Sequence, residues 1–307
     1  MNAWGKWLVL AILLLAAVQL QAVVLNPSFG EYKDVECTGH PDINTDFDIS
    51  DGYKIPTDFN SIAVNRSQSR PGGQPTGSLN TEWEDAYTWS VEKYVPDPNL
   101  VRAAYMLNWK VDKIEPADGD RFVILDSDGK SYGPNKVTLS QTIEVEVGDR
   151  IAGQYFFGTY DYDQWADYAT ISLIPHNEDK PIIEMVKVGV SDVGNEGSMH
   201  GWKWFSHIFE EEQAGKYELQ FQVKDLYDSL FGSILAIDNL RYCKNAPAYG
   251  DINYDCRVDF LDLAKLAKWW LQECDEFSSC NEADLTDQGD VGIDDLQIIA
   301  EYWLQGV

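Results

Sequence analysis

The sequence predicts a mainly β protein, an all-β sandwich of ordinary domain size followed by a small α-helical unit. Apolar residues between Ala22 and Cys243 recur with a period of two, and no amphipathic helix interrupts that span. The last fifth of the chain then repeats itself at an offset of 33 residues. Of 307 residues, 44% are hydrophobic and 13% aromatic, which is enough to fill a sizeable core and excludes wholesale disorder. The balance of 51 acidic against 23 basic side chains, a formal charge of −28, excludes a phosphate backbone or an anionic membrane as partner. Cations and uncharged polymers remain.

Residues 1–22 read as a secretory signal peptide. They join one early positive charge, Lys6, to an apolar run from Trp7 to Val18 and a small residue at Ala22. The run falls short of the roughly 20 residues that span a bilayer. Export is therefore expected, with no membrane insertion after cleavage. An exported chain meets an oxidising compartment, so disulfides among Cys37, Cys243, Cys256, Cys274 and Cys280 are allowed. Five is odd, and spacing does not fix their connectivity. Cys37 and Cys243 flank the larger region, whereas the other three belong to the C-terminal one.

Residues 23–245 supply the strands. Leu139, Ile143, Val145 and Val147 alternate with polar residues up to a Gly148-Asp149 turn, and Ile151, Tyr155 and Phe157 alternate on the return. Further runs are Tyr105–Ile114, Arg121–Leu125, Tyr168–Ile174, Ile182–Val190, Tyr217–Val223 and Ile234–Tyr242. Many strands separated by turns mean a β-sandwich. Residues 66–80 are expected to form a mobile polar loop. A short linker, 246–250, leads to the repeat at 251–307.

There, Asp251-Ile-Asn-Tyr-Asp-Cys-Arg-Val-Asp-Phe-Leu-Asp-Leu263 aligns with Asp284-Leu-Thr-Asp-Gln-Gly-Asp-Val-Gly-Ile-Asp-Asp-Leu296. Leu263, Leu266, Ala267, Trp270 and Leu271 then match Leu296, Ile299, Ala300, Trp303 and Leu304, the stripe of an amphipathic helix. Each helix needs a partner, and its copy is the natural one. The preceding loops have the spacing of an EF-hand-like calcium loop. Calcium takes six to eight hard oxygens from a curled loop, and alternate side chains can supply them. In loop 1 these are Asp251, Asn253, Asp255, Asp259 and Asp262, with the carbonyl of Arg257 at position 7. Loop 2 offers Asp284, Thr286, Gln288 and Asp295, with the carbonyl of Asp290 at position 7. Fewer carboxylates predict one strong and one weaker calcium site. Position 6, where glycine suits a sharp turn, is Cys256 in loop 1 and Gly289 in loop 2. Residues 250–307 hold 14 acids and 3 bases, so the isolated metal-free unit is expected to repel itself and fold poorly.

These residues resemble the type I dockerin, over roughly residues 249–307. The resemblance implies calcium-dependent docking to a cohesin-type domain of a scaffold or surface protein. It also implies contacts through loop positions 10 and 11, here Phe260 and Leu261, with Ile293 and Asp294 in the second copy. The family's familiar hydroxyl pair is absent, so a different cohesin-like receptor is expected. The sandwich resembles jelly-roll, galactose-binding-like carbohydrate modules at its two ends, Val24-Leu-Asn-Pro-Ser-Phe29 and Ile234-Leu-Ala-Ile-Asp-Asn-Leu240. That resemblance implies a jelly roll and a structural calcium held by Glu31 and Asp238.

Candidate glycan contacts lie in Thr159-Tyr-Asp-Tyr-Asp-Gln-Trp-Ala-Asp-Tyr168. Aromatic rings stack on the apolar faces of sugars while carboxylates accept from hydroxyls, and Tyr160, Asp161, Tyr162, Asp163, Trp165 and Asp167 offer both. An Asp-rich turn capping the sandwich end reads the same residues structurally. Trp202, Trp204 and Phe205 form a second aromatic cluster that alternation would half bury, and Trp83, Tyr87 and Trp89 a third. No nucleophile elbow, zinc-protease motif or phosphate-cradling loop is present. The sequence therefore favours an exported, non-catalytic protein, retained at the cell surface through its partner, that joins a polysaccharide- or surface-glycan-binding sandwich to a calcium-held docking unit. Two alternatives stay open: a polysaccharide-degrading enzyme (O-glycosyl hydrolase or lyase), and an adhesive or structural surface protein.

Overall fold

The computed structural model describes residues 32–35, 53–56, 60–64, 88–91, 94, 108–127, 136–165, 167–226, 231–274 and 279–306. The expected signal peptide, Glu31, Cys37 and the 66–80 loop lie outside the described residues. Two antiparallel five-stranded sheets face one another. Most of both sheets is formed by β5 (Phe122–Asp126), β6 (Lys136–Val145), β7 (Arg150–Thr159), β8 (Tyr168–Pro175), β9 (Ile183–Gly189), β10 (Lys203–Ile208), β11 (Gly215–Lys224) and β12 (Ser233–Cys243). One sheet runs β10-β7-β12-β5-β4, the other β3-β6-β11-β8-β9. Here β3 (Asn60–Val64) and β4 (Thr88–Val91) extend the edges, and β1 (Tyr32–Val35) pairs with β2 (Tyr53–Pro56) separately.

The pairing has a simple rule. β8 pairs with β9, β7 with β10, β6 with β11 and β5 with β12, as if one long hairpin had been folded over and rolled up. That is the connectivity of a jelly roll. Alternation produces it directly: Tyr217, Leu219, Phe221 and Val223 on β11 are all buried while the residues between them are only partly covered. β12 departs from this, with Ser233–Leu240 buried on both faces, because it lies between β7 and β5 at the centre of its sheet. The core is continuous from Phe122 through Phe156, Leu173 and Phe221 to Ile237.

The strand expected over Tyr105–Ile114 does not form in its described part, 108–114. That segment makes isolated bridges, Asn108 to Gly197 and Ile114 to Tyr94, and crosses the end of the sandwich. Its apolar residues are cover rather than strand: Trp109 stacks on Tyr160 and donates from Nε1 to the carbonyl of Thr159 at 2.9 Å. A single helical turn, α1 (Val190–Val193), follows β9.

The C-terminal unit consists of α2 (Phe260–Lys268) and α3 (Ile293–Glu301), whose boundaries are 33 residues apart at both ends. Left-handed backbone recurs at the same interval: Tyr254 (φ 58°) with Asp287 (56°), Cys256 (77°) with Gly289 (90°), and Leu271 (59°) with Leu304 (63°). The sequence repeat is thus a repeat of backbone. Cross-links follow the same pseudo-symmetry. Val258 exchanges hydrogen bonds with Leu304 and Gln305, and Val291 with Leu271 and Gln272. The helices share a core of Ile252, Val258, Leu266, Val291 and Ile299. The expected apolar stripe is shifted. Leu266 and Ile299 are buried with Asp262 and Asp295, whereas Ala267 and Ala300 are exposed, and so are Leu271 (75%) and Leu304 (58%). The reason is that each helix turns its loop-closing aspartate inward, and each left-handed helix end turns its leucine out. Among the described residues, no helix is long and apolar enough to cross a membrane.

Candidate cation and docking site

Each loop is curled by its own carboxylates. In loop 1, Asp251 accepts from the backbone N–H of Asp255 (3.1 Å) and Cys256 (2.9 Å). Asp262 accepts from Ile252 (2.8 Å), Asn253 (3.2 Å) and Asp259 (2.9 Å). In loop 2 the corresponding bonds run from Gln288 (3.1 Å) and Gly289 (2.8 Å) to Asp284, and from Thr286 (2.9 Å) and Gly292 (2.7 Å) to Asp295. The aspartates fix the turns by accepting orphan N–H groups ahead of a helix. Asp259 caps α2 by accepting from Leu261 at 2.7 Å. Gly292 holds that place in α3 and has no side chain to do so.

The loops differ in what their side chains converge on. The carboxylates of Asp251, Asp255 and Asp262 bring ligand oxygens within 4.8 Å of one another, the one such group among the described residues. Asp251 is 4% and Asp262 0% exposed. Burial pushes both carboxyls above the usual range, in Asp251 against the opposing pull of Arg150. Asn253 adds an amide oxygen, Asp259 lies half-buried at the helix start, and Arg257 is exposed with its carbonyl at position 7. Hard oxygens converging on a charge-deficient point fit calcium, whose chemistry is oxygen ligation without direction. In loop 2, Asp295 is buried, Asp284 and Thr286 are half-buried, and Gln288 and Asp290 face solvent.

Loop 1 is also pinned to the sandwich. Cys243, the last residue of β12, is disulfide-bonded to Cys256, and Cys274 to Cys280. The first of these joins the two regions, which no sequence spacing indicated. Arg150 begins β7 directly opposite Cys243 and forms a buried ion pair with Asp251. Trp204 of β10 stacks on Tyr254 with ring centroids 4.4 Å apart, and Arg150 lies over the same Tyr254 ring. The Tyr254 phenol shares a hydrogen bond with Glu282, and burial raises both groups. Of the cluster that alternation was expected to half bury, Trp204 is half-covered in this contact between regions, while Phe205 is core at 4% exposed. Arg150 and Glu282 could not have been found from the sequence, which marked Trp204 only as part of an aromatic cluster. Cys256, a cysteine where glycine suits, was its one local sign.

The first turns of both helices present apolar surface: Phe260 is 74%, Leu261 61% and Ile293 67% exposed, with Asp294 exposed beside them. Phe260 meets Trp303, just past the end of α3, edge-on at 5.0 Å, so the first turn of α2 lies beside the end of α3 and the two first turns face opposite ends of the unit.

The acidic aromatic turn after β7 divides. Tyr160, Asp161 and Asp167 are buried. Tyr160 shares a 2.8 Å hydrogen bond with Tyr94, and Asp167 accepts from Ser233 (2.7 Å) and Leu226 (2.9 Å). These three belong to the structure of the sandwich end. Tyr162 and Trp165 are half-exposed and Asp163 exposed, beside Asn195 and Glu196. Asp238 is buried and accepts from Ala117, Asp118 and Asn239, and burial pushes its carboxyl up to about 6 despite these donors. Trp83 and Tyr87 lie outside the described residues.

No protein-family model and no curated protein matches the chain. It is similar to a solved carbohydrate-binding module of the β-sandwich superfamily studied for promiscuous specificity, at 12% identity and TM-score 0.32. That alignment covers 61% of this chain and 57% of the other, so the chain spans little more than half that structure's length. It is similar to TmCBM61, solved with β-1,4-galactotriose, at 12% identity and TM-score 0.35 over 72% and 97% of the two chains. The K2 cleaved adhesin domain of Lys-gingipain aligns at 10% identity and TM-score 0.30 over 61% and 89%. Likeness of this size sets no ligand, and the jelly-roll order rests on the strand pairing.

Proposed function

We propose that the chain is an exported, non-catalytic docking protein. Its C-terminal unit is a dockerin held by calcium, and its sandwich recognises carbohydrate. The observation that carries this reading is the convergence of Asp251, Asp255 and Asp262 in loop 1. Three carboxylates there meet one guanidinium, and calcium supplies the positive charge still missing. Asp262 holds the loop to the start of α2 and Asp251 fixes its first turn, so a cation gathered there orders the N-terminus of the helix. Asp284 and Asp295 serve the weaker second site. The ordered first turns then present Phe260 and Leu261 at one end of the helix pair and Ile293 at the other, each an apolar contact for a cohesin-type partner, which retains the protein at the cell surface. An exposed apolar patch with a polar rim is a usual form of a docking face.

Support for the carbohydrate half is the surface placement of Tyr162, Asp163 and Trp165 on a rigid jelly-roll end. Calorimetry of the whole mature chain with calcium tests the docking half, with one tight and one weak site expected. The absence of any binding heat and of any stabilisation would refute it. Retention on a polysaccharide panel, scored together with reducing-sugar release, tests the other half. Retention without release is expected, lost in Trp165→Ala; release of sugar would make the sandwich an enzyme.

A further inference from the structure

Asp251 is a buried carboxylate that already has a cation beside it. Arg150 is 4% exposed and donates from its guanidinium to the same oxygen, Oδ2, that accepts from Cys256, leaving Oδ1 on the side of Asp255. A buried ion pair of this kind is unremarkable in itself. Its placement is not. Arg150 stands on the last rung of the sheet, opposite Cys243, and Cys243 is disulfide-bonded to the next loop position but four, Cys256. One rung of the sandwich thus holds loop 1 at both ends of its first turn. Trp204 closes over the residue between them, Tyr254. Loop 2 has the same backbone bonds and none of these holds among the described residues.

We propose that Arg150 is the resident counter-cation of loop 1, a positioning residue of the sandwich that keeps the loop in its metal-binding shape when no metal is bound. The proposal rests on the reading that loop 1 takes calcium. It follows that metal-free loop 1 stays curled in the whole chain while loop 2 opens. Calcium then adds less order to loop 1 than its carboxylates alone would allow, because a positive charge is already there.

Hydrogen exchange on the whole mature chain tests this, in chelator and in calcium. The Asp255 and Cys256 amides report loop 1, and the Gln288 and Gly289 amides report loop 2. In chelator, loop 1 is expected to be protected and loop 2 not. Arg150→Met should speed loop-1 exchange in chelator by roughly a hundredfold, the low end of what losing one partner of a buried ion pair produces. Calcium should restore most of that protection, and loop 2 should not respond to the substitution. Arg150→Lys, which keeps the charge, should fall between, and β11 amides report whether the sandwich is intact. Equal exchange in both loops of the parent in chelator, or no change in Arg150→Met, would overturn the proposal. If calcium protects neither loop, the calcium reading falls, while the effect of Arg150 in chelator is decided separately by the same data.

Discussion

Loop 1 lies against the sandwich with Asp251 and Asp262 buried, whereas loop 2 faces solvent at Gln288, Gly289 and Asp290. Their backbones match turn for turn, down to the left-handed residues at positions 4 and 6. Their surroundings do not. Loop 1 keeps more carboxylates at its ligand positions, a capping aspartate, a disulfide to β12 and a guanidinium from β7; loop 2 keeps the glycine that makes its turn easy. Duplication copied a shape that either loop can form, and docking one copy against a sheet divided the two.

The largest effects should come from the loop-closing aspartates. Asp262→Ala leaves three backbone donors without an acceptor and should destabilise the C-terminal unit by about 3 kcal/mol, with loss of the tighter calcium site in calorimetry. Asp295→Ala should destabilise comparably but remove only the weaker site. If the tighter site disappears with Asp295 instead, the ranking of the loops is inverted. Next come the disulfides. Replacing Cys243 and Cys256 by serine opens a link across 13 residues and should lower stability by about 3 kcal/mol. Replacing Cys274 and Cys280, 6 residues apart, should lower it by about 2 kcal/mol. Denaturation of the two double variants reads the difference, and an equal loss would mean that the link to the sandwich adds nothing special.

Smaller effects sharpen the same contrast. Trp204→Ala removes a stacked pair and should weaken the contact between regions by about 1 kcal/mol, visible as faster exchange in loop 1 alone. It should leave polysaccharide retention unchanged, the reverse of Trp165→Ala. Gly289→Ala places a side chain where φ is 90° and should destabilise loop 2 by about 1 kcal/mol, with thermal unfolding as the measure. If that substitution has no effect, loop 2 is already open, and calcium should abolish its tolerance.

Much of this was legible because it is periodic. The alternation of Tyr217 to Val223 and the 33-residue repeat each translate into one geometry, so strands and loop–helix units follow from spacing. Segments that serve two regions were not legible. Trp109 and Val111 look like strand residues because the end of a sandwich also wants apolar cover. Leu271 and Leu304 continue an apolar stripe on paper, yet their left-handed backbone points them outward. The acidic aromatic turn was ambiguous for a similar reason: burial alone separates Tyr160, Asp161 and Asp167 from Tyr162, Asp163 and Trp165.

The sequence by itself determined most of the strands from β5 to β12, the two loops and the order of carboxylates within them, since each depends on neighbours close in the chain. Only the tertiary structure decided that the folded-over hairpin sets Arg150 opposite Cys243, and that this rung meets Asp251 and Cys256. Those residues stand 101 and 13 positions apart along the chain. No local pattern records such a distance. It is fixed by which end of the sheet the C-terminal unit can lie against once both have folded.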